Sequence, residues 1–520
     1  MENTSLLDAT NWQNPWINLD TPSLSQTNWP LLLDYHGPIT HCIGELGADH
    51  FTIQPADRLT VISGNGNIDY GEGKYDLLDL SHLSSTEVVE WVDAAFGDGI
   101  LFNPGNGARV FDGILLADGH QILFEGLDIV QFSDKTIYFS ICPNDPEFYQ
   151  QWNLHMMGVH NAWRFTQGSS DVLVGIQDTG LGYTADGNAI HPDLAEAISL
   201  SDNLADDFTP DHKDSSLAAS YITSHGTRVQ SIISAVSNNG KGISGINWKS
   251  KVAHVDVVGD DPDDLSLEEA TRFLIETAQQ AGQRLVVNMS LCINAQSSLE
   301  AYSLHRAFAQ LVEENKENAL FVISVGNENC DRIAYPASLG KKHKNVIAVG
   351  AVWGKKARQY YQPRPGIRID YGNHGSNYGF GLSLMGPAEM IAASASVADG
   401  RVHFGLDPAF QGTSSAAPNV AGVASLVWSV CPELSAEQVH CILVETAYRP
   451  EGETYSEETG YGLVYADSAV RRAIAIKKYL IQSPSTSTNY ASHIRPSVPV
   501  CQLTCQNSLI DSWQSVEHLS

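Results

Sequence analysis

Three side chains far apart in this 520-residue chain could together run nucleophilic acyl chemistry: Asp178 in IQDTG, His225 in SHGTR and Ser414 in GTSSAAP. A hydroxyl is a poor nucleophile until an adjacent imidazole takes its proton. The imidazole in turn needs a carboxylate to fix its tautomer and stabilise the charge it acquires. Each residue alone has a plainer reading: Asp178 as a turn residue before Thr-Gly, His225 as a satisfied ring at a helix start, Ser414 as an N-cap. Their joint appearance at element boundaries, each beside small residues that let a substrate approach, favours the chemical reading. AAPNVAGVASLVW after Ser414 reads as a helix with Ala and Gly on its faces, whose N-terminal amides and partial positive charge face the reacting centre. Asn327, directly after the apolar run ALFVISVG, is placed by topology to donate to a developing oxyanion beside the Ser414 amide.

Such groups must be held beyond the carboxyl ends of strands. VLVGIQ (172–177), VAHVDVV (252–258), LVVNMSL (285–291), ALFVISV (319–325) and NVIAVGAV (345–352) are continuous apolar runs, the pattern of strands covered on both faces. Between them SLEEATRFLIETAQQAG (266–282), with acids in its first turn and Gly at its end, and SLEAYSLHRAFAQLVEEN (298–315) read as helices. An α/β domain with a mostly parallel sheet is therefore expected over about 143–476. Ahead of it, 1–38 reads as an irregular arm, and 39–141 as a small β-rich module of short runs such as LTVIS (59–63), QILFEGLDIVQF (121–132) and TIYFSI (136–141). Within the module, GNGNIDYGEGKYDLLDLS (64–81) suits either a Gly/Asp hairpin turn or oxygen ligands for a hard cation. Residues 477–520 are Ser/Thr/Pro-rich and expected to form a loose tail.

Composition narrows the function classes. With 43% hydrophobic and 17% charged residues, a disordered, collagen-like or coiled-coil chain is excluded. Sixty acidic against 30 basic residues give a formal charge of -30, which argues against nucleic acid as a partner. The same field would draw cations and basic peptide segments, or it is simply a solvated acidic surface. Eight cysteines are scattered without metal-site spacing, so the disulfide state stays open. No Lys or Arg precedes Arg58 and no apolar run suits a signal core or a membrane span. A cytoplasmic location is the default expectation, with export by a route lacking an N-terminal signal as the alternative.

In chain order, DTG, HGT, GN and GTSxAAP resemble the subtilisin-like family of serine peptidases, with a kexin-like cast in GTSSAAP and in DDFTP (206–210). PNDPEFYQQWNLHMMGVHNAWRFTQGSSDV (143–172) and HPDL (191–194) are similar to that family's domain start and post-Asp loop. The resemblance covers 143–476 and implies a three-layer subtilisin-like fold. It also implies a serine endopeptidase acting on proteins or peptides through an acyl-enzyme. In those roles Asp178 orients, His225 is base then acid, Ser414 is the nucleophile and Asn327 an oxyanion donor. Ser290, Leu291 and Cys292 would form the cleft wall that pairs with the substrate backbone, with Cys292 standing where the family usually has Gly. Asn419 stands where many members carry His, and Asp331 after GNENC is either a pocket residue or a solvated loop acid. SNNGKGISG (237–245) resembles the family's calcium loop, with Asn239 as a ligand. The module lies where the family places its inhibitory propeptide but lacks the two-helix pattern. The arrangement is also similar to cyanobacterial calcium-dependent subtilisin-like proteases. The other reading is a catalytically silent binding protein of the same fold with a calcium-responsive N-terminal module.

Overall fold

A computed structural model describes residues 39–54, 57–97, 99–182, 190–194, 198–200, 224–258, 265–293, 305–355, 364–398, 401–449 and 455–482. The arm 1–38, DDFTP (206–210), the first half of the 298–315 run and the tail beyond 482 lie outside the described residues.

The N-terminal region carries ten strands: β1 (Thr40–Ile43), β2 (His50–Thr52), β3 (Leu59–Ser63), β4 (Leu77–Leu80), β5 (Val88–Val92), β6 (Ile100–Phe102), β7 (Arg109–Leu116), β8 (Gln121–Glu125), β9 (Ile129–Phe132) and β10 (Thr136–Tyr138). β1, β3 and β8 stack in parallel, and so do β2, β4 and β9. Two facing three-rung stacks result, closed by antiparallel additions, with Phe51, Ile62, Leu78, Phe124, Val130 and Phe132 in the core between them. The stretch 64–81 is a crossover between the stacks rather than the expected hairpin. Its composition has a packing cause: a Cβ on Gly64 would stand 2.3 Å from the Gly126 carbonyl oxygen, and one on Gly66 1.8 Å from that of Met156. One of its aspartates, Asp76, serves a ladder, for the Asp49 N–H donates to Asp76 at 2.8 Å and the Asp76 N–H to Asp128 at 2.9 Å. Burial, reinforced by Asp128, pushes the Asp76 carboxyl well above its ordinary range.

The second region is a seven-stranded parallel sheet of order β12 (Ile198–Leu200), β13 (Lys251–Asp256), β11 (Val172–Asp178), β14 (Arg284–Met289), β15 (Ala319–Ser324), β16 (Val346–Val352) and β17 (Leu384–Pro387). The five expected apolar runs form β11 and β13 to β16, so the α/β expectation holds. A long antiparallel hairpin, β18 (Met390–Ala398) and β19 (Arg401–Phe410), follows the sheet. Preceding the sheet are the short helices α1 (Trp152–Met156) and α2 (Val159–Ala162). Later come α3 (His225–Ser234), α4 (Leu267–Ala281), α5 (Arg306–Glu314), α6 (Thr413–Val430), α7 (Ala436–Glu445) and α8 (Ala466–Gln482). α4 begins in a Ser266–Glu269 capping box and ends at Gly282 with φ 66°, as its sequence dictates. α8 runs to Gln482, into the stretch expected to be tail, because Lys477 bonds the Val430 carbonyl at 2.7 Å and Leu480 packs on the core.

α8 also carries the joint between the two regions. Arg471, 1% exposed, donates to Asp467 at 2.7 Å, to Asp112 of β7 at 2.8 Å and to the Val110 carbonyl at 3.1 Å. Arg472 donates to the Ala108 carbonyl, Ser468 to Glu125, and the Gly126 N–H to Asp467. Among the described residues, none of the module's hydrogen bonds or ion pairs reaches Asp178, His225, Asn327, Ser414 or 290–292.

Candidate active site

β11 sits where the strand order turns back, with β13 on one side and β14 on the other, so its carboxyl end opens onto a crevice. Asp178 closes that strand, 1% exposed. One of its carboxylate oxygens accepts from the His225 Nδ1–H at 2.6 Å and from the Thr179 N–H at 2.9 Å. This bond commits the imidazole to the tautomer whose Nε2 is free to take a proton. His225 is the first residue of α3, with its side chain 16% exposed, within reach of a substrate.

The small residues of DTG and HGT hold the pair together. Gly180 has φ 78°, and its carbonyl oxygen would lie 2.1 Å from a Cβ on Gly226. Only glycine at 226 lets α3 begin this close to the strand end. The Gly226 N–H then donates to Thr179 Oγ1 at 3.0 Å, and the Gly182 N–H to Thr227 Oγ1 at 2.9 Å.

From Thr413 to Trp428 every residue of α6 is buried except Ser414. Gly412, φ 79°, turns the chain into that helix, and a Cβ there would stand 3.0 Å from Asn327 Oδ1. Asn327 Oδ1 is occupied by the Thr413 N–H at 2.8 Å and the Thr413 hydroxyl at 3.0 Å, which leaves its Nδ2 as the donor half at an exposed position. The Ser414 N–H lies in the first turn of α6, where backbone donors have no intrahelical acceptor. The amide of Asn327 and this N–H therefore face one end of one helix, which also directs its dipole there.

Ser414 Oγ donates to the Ser290 carbonyl at 3.1 Å, and Ser290 Oγ returns a bond to the Ser414 carbonyl at 2.9 Å. The structure thus joins Asp178 to His225 and Ser414 to Ser290, and it bonds Asn327 to Thr413, the residue before Ser414. No hydrogen bond links His225 to Ser414, although α3 packs directly on α6. Leu291 is fixed by Ser324 Oγ on its carbonyl at 3.3 Å, and Cys292 is exposed. Asp331 is exposed and pairs through its backbone with Tyr378; Asn419 is buried and bonded to Asn153, away from the reacting groups.

Asn239 is held differently from the expected ligand role. Its Oδ1 accepts from the Lys241 N–H at 2.8 Å, and its Nδ2 donates to Asp193 at 3.0 Å. Asp193 also accepts from the Ile243 N–H at 2.9 Å, so the loop's own N–H groups take these oxygens. No group of three or more His, Cys, Asp or Glu able to hold a metal occurs among the described residues.

Sequence reasoning missed several neighbours of His225. Its ring packs on Phe410 at 5.4 Å, 82° between planes. Behind it His254 of β13 bonds Gln230 at 3.0 Å, and burial lowers its pKa to about 4, with Asp178 opposing and His225 adding. A histidine inside the apolar run VAHVDVV was the available signal.

The sequence profile of the subtilase family matches residues 169–462. An extracellular basic protease of Dichelobacter nodosus is 28% identical over 377 residues, covering 66% of this chain and 58% of the relative. An extracellular protease of Xanthomonas campestris pv. campestris is 28% identical over 365 residues, 66% of this chain and 59% of the relative. The chain thus spans less than two-thirds of these relatives' length. Among solved structures, fervidolysin of Fervidobacterium pennivorans is 23% identical with a TM-score of 0.44, covering 63% of this chain and 46% of that one. With a profile match spanning the strand that carries Asp178, the helix of His225 and the turn into Ser414, this chain belongs to the subtilase family.

Proposed function

We propose that the protein is a serine endopeptidase that cleaves proteins or peptides through an acyl-enzyme. The observation that carries this reading is the 2.6 Å bond from His225 Nδ1 to a buried Asp178, which leaves Nε2 as a base beside the helix bearing the half-buried Ser414. The Ser414 hydroxyl rotates from the Ser290 carbonyl to His225, gives up its proton and attacks the scissile carbonyl carbon. The resulting oxyanion is met by the Ser414 N–H and Asn327 Nδ2. His225 then passes the proton to the leaving amine, and the acyl-enzyme is hydrolysed with water in place of the serine hydroxyl. The extended segment that follows β14, from Ser290 through Cys292, pairs with the substrate backbone.

A fluorophosphonate probe should label the wild type at Ser414. Ser414→Ala should lose both labelling and peptide cleavage while unfolding at nearly the same temperature. Wild type that stays unlabelled at neutral pH beside a reactive control protease would instead support a silent binding protein.

Calcium is the finer part of the reading. The Asn239 amide, the Asp193 carboxylate and neighbouring carbonyls are the oxygen chemistry a hard cation takes, but a cation there must displace the N–H groups of the loop.

A further inference from the structure

His225, Arg228 and Ser231 are spaced three apart and share one face of α3. The hairpin β18–β19 meets that face at each residue. Phe410 packs on the His225 ring; the Asp407 carboxylate forms an ion pair with Arg228, 2.8 Å from Nε; the Ala393 N–H donates to Ser231 Oγ at 2.9 Å. The Arg228 guanidinium lies 5.8 Å from the centroid of the Phe410 ring, so Phe410, fully buried, sits against the guanidinium on one side and the imidazole on another. The Arg228 and Asp407 side chains are only 10% and 20% exposed, which keeps their pairing weakly screened. Two residues after Phe410 the chain reaches Gly412 and then the nucleophile. The hairpin therefore fastens the helix of the base to the strand that delivers the serine, across the one junction where no hydrogen bond joins His225 to Ser414.

We propose that Arg228, Asp407 and Phe410 are positioning residues: a clamp that sets the approach of His225 to Ser414 and whose charge balance sets the acid limit of activity. This rests on the peptidase reading above. The groups facing His225 are Asp178 from β11, His254 from β13, Arg228 from its own helix, Asp407 and Phe410 from β19, and Ser414 from α6. Of these, Asp178, His254, Arg228 and Asp407 are the ionisable groups.

The two members of the ion pair predict opposite effects. In Asp407→Asn, a negative charge about one helical turn from His225 is lost and the imidazolium is less favoured, so the acid limb of the rate profile moves to lower pH. In Arg228→Gln, Asp407 is left alone and favours the imidazolium, so the limb moves to higher pH. Each displacement should be about half a pH unit. Each single variant, and Phe410→Leu, should lose about tenfold in kcat with KM nearly unchanged, because orientation rather than binding is lost. The double variant should return the limb to the wild-type position while kcat stays low, and Asp407→Glu should recover most of the rate.

The test measures pH–rate profiles of the full chain on a peptide substrate, together with the downfield His225 Nδ1–H proton resonance across the same pH range. The resonance reads the imidazole without turnover. Wild type without turnover but with oppositely displaced resonances in the two single variants would sink the peptidase reading and keep the charge coupling. An active wild type whose two single variants shift in the same direction, or not at all, overturns the clamp.

Discussion

Arg471→Met deletes the centre of the joint between the module and the catalytic sheet. The guanidinium is 1% exposed and bonds Asp467 and Asp112, both fully buried. Burial works against ionisation of Asp112, yet Arg164 and Arg471 together hold it down at about 2, so it is charged in the fold. Asp467 is raised by its burial with Arg471 as its main relief, and methionine would leave it without that partner. Removing one member of a buried pair costs about 3–5 kcal/mol. Asp112 keeps Arg164, at 3.1 Å, which favours the lower end of that range. At roughly 1–1.5 °C per kcal/mol for a folded unit of this size, the melting temperature should fall by about 4 °C. The assay is calorimetric or fluorescence-detected melting, paired with limited proteolysis of the module under native conditions. Arg471→Met/Asp467→Leu should recover part of the loss, since replacing both partners by apolar groups removes the orphaned carboxyl. A single variant melting within about 1 °C of the parent, with a module no more sensitive to protease, would show that the network does not hold the two regions together.

Acid should weaken the fold before it reaches the usual carboxylate range. Burial holds His254 and His440 at about 4, so between pH 6.5 and 4 the unfolded chain binds more protons than the native one, and stability falls as pH falls. For the pair this is on the order of 5 kcal/mol between pH 7 and 4.5, read by urea unfolding at both values; equal stabilities would refute it. If a cation occupies the 237–245 loop, a chelator should lower the melting temperature and added calcium restore it, whereas identical melting curves would remove calcium from the reading.

The parts of the fold legible in the sequence are those coded locally. Continuous apolar runs gave β11 and β13 to β16 because both faces of the parallel sheet are covered, and Ser266, Glu269 and Gly282 marked both ends of α4. The site residues were legible through their neighbours. Gly226 and Gly412 stand where a Cβ would meet a carbonyl oxygen or an amide, so the motifs record close approach as well as chemistry. The stacked module was not legible, because its rungs start at residues 40, 59 and 121 and share no period. The β18–β19 hairpin escaped for a related reason. MIAASASVA is mostly small residues, and RVHFGLDPAF breaks its apolar pattern with Asp407, whose partner, Arg228, is far away in sequence.

The placement of the module constrains how it can act. An inhibitor in cis must cover the groove, yet the bonds of this module run to the other end of the chain, to α8 and to Lys355, which meets Asp69 at 2.8 Å. Glycines at 66 and 126 bring its backbone against Met156 and Tyr465, a contact with no room for side chains at those positions. Cutting the chain near residue 142 would break one covalent link while leaving the buried Arg471 and Arg472 contacts intact, so cleavage there would not amount to release. The strand that carries Asp178, the strand that leads into Ser290 and the helix that carries Ser414 share one core with α8, and α8 is also the element the module grips. Among the described residues the module's bonds run to the scaffold that holds the site, so its loss should be felt first as instability of α8.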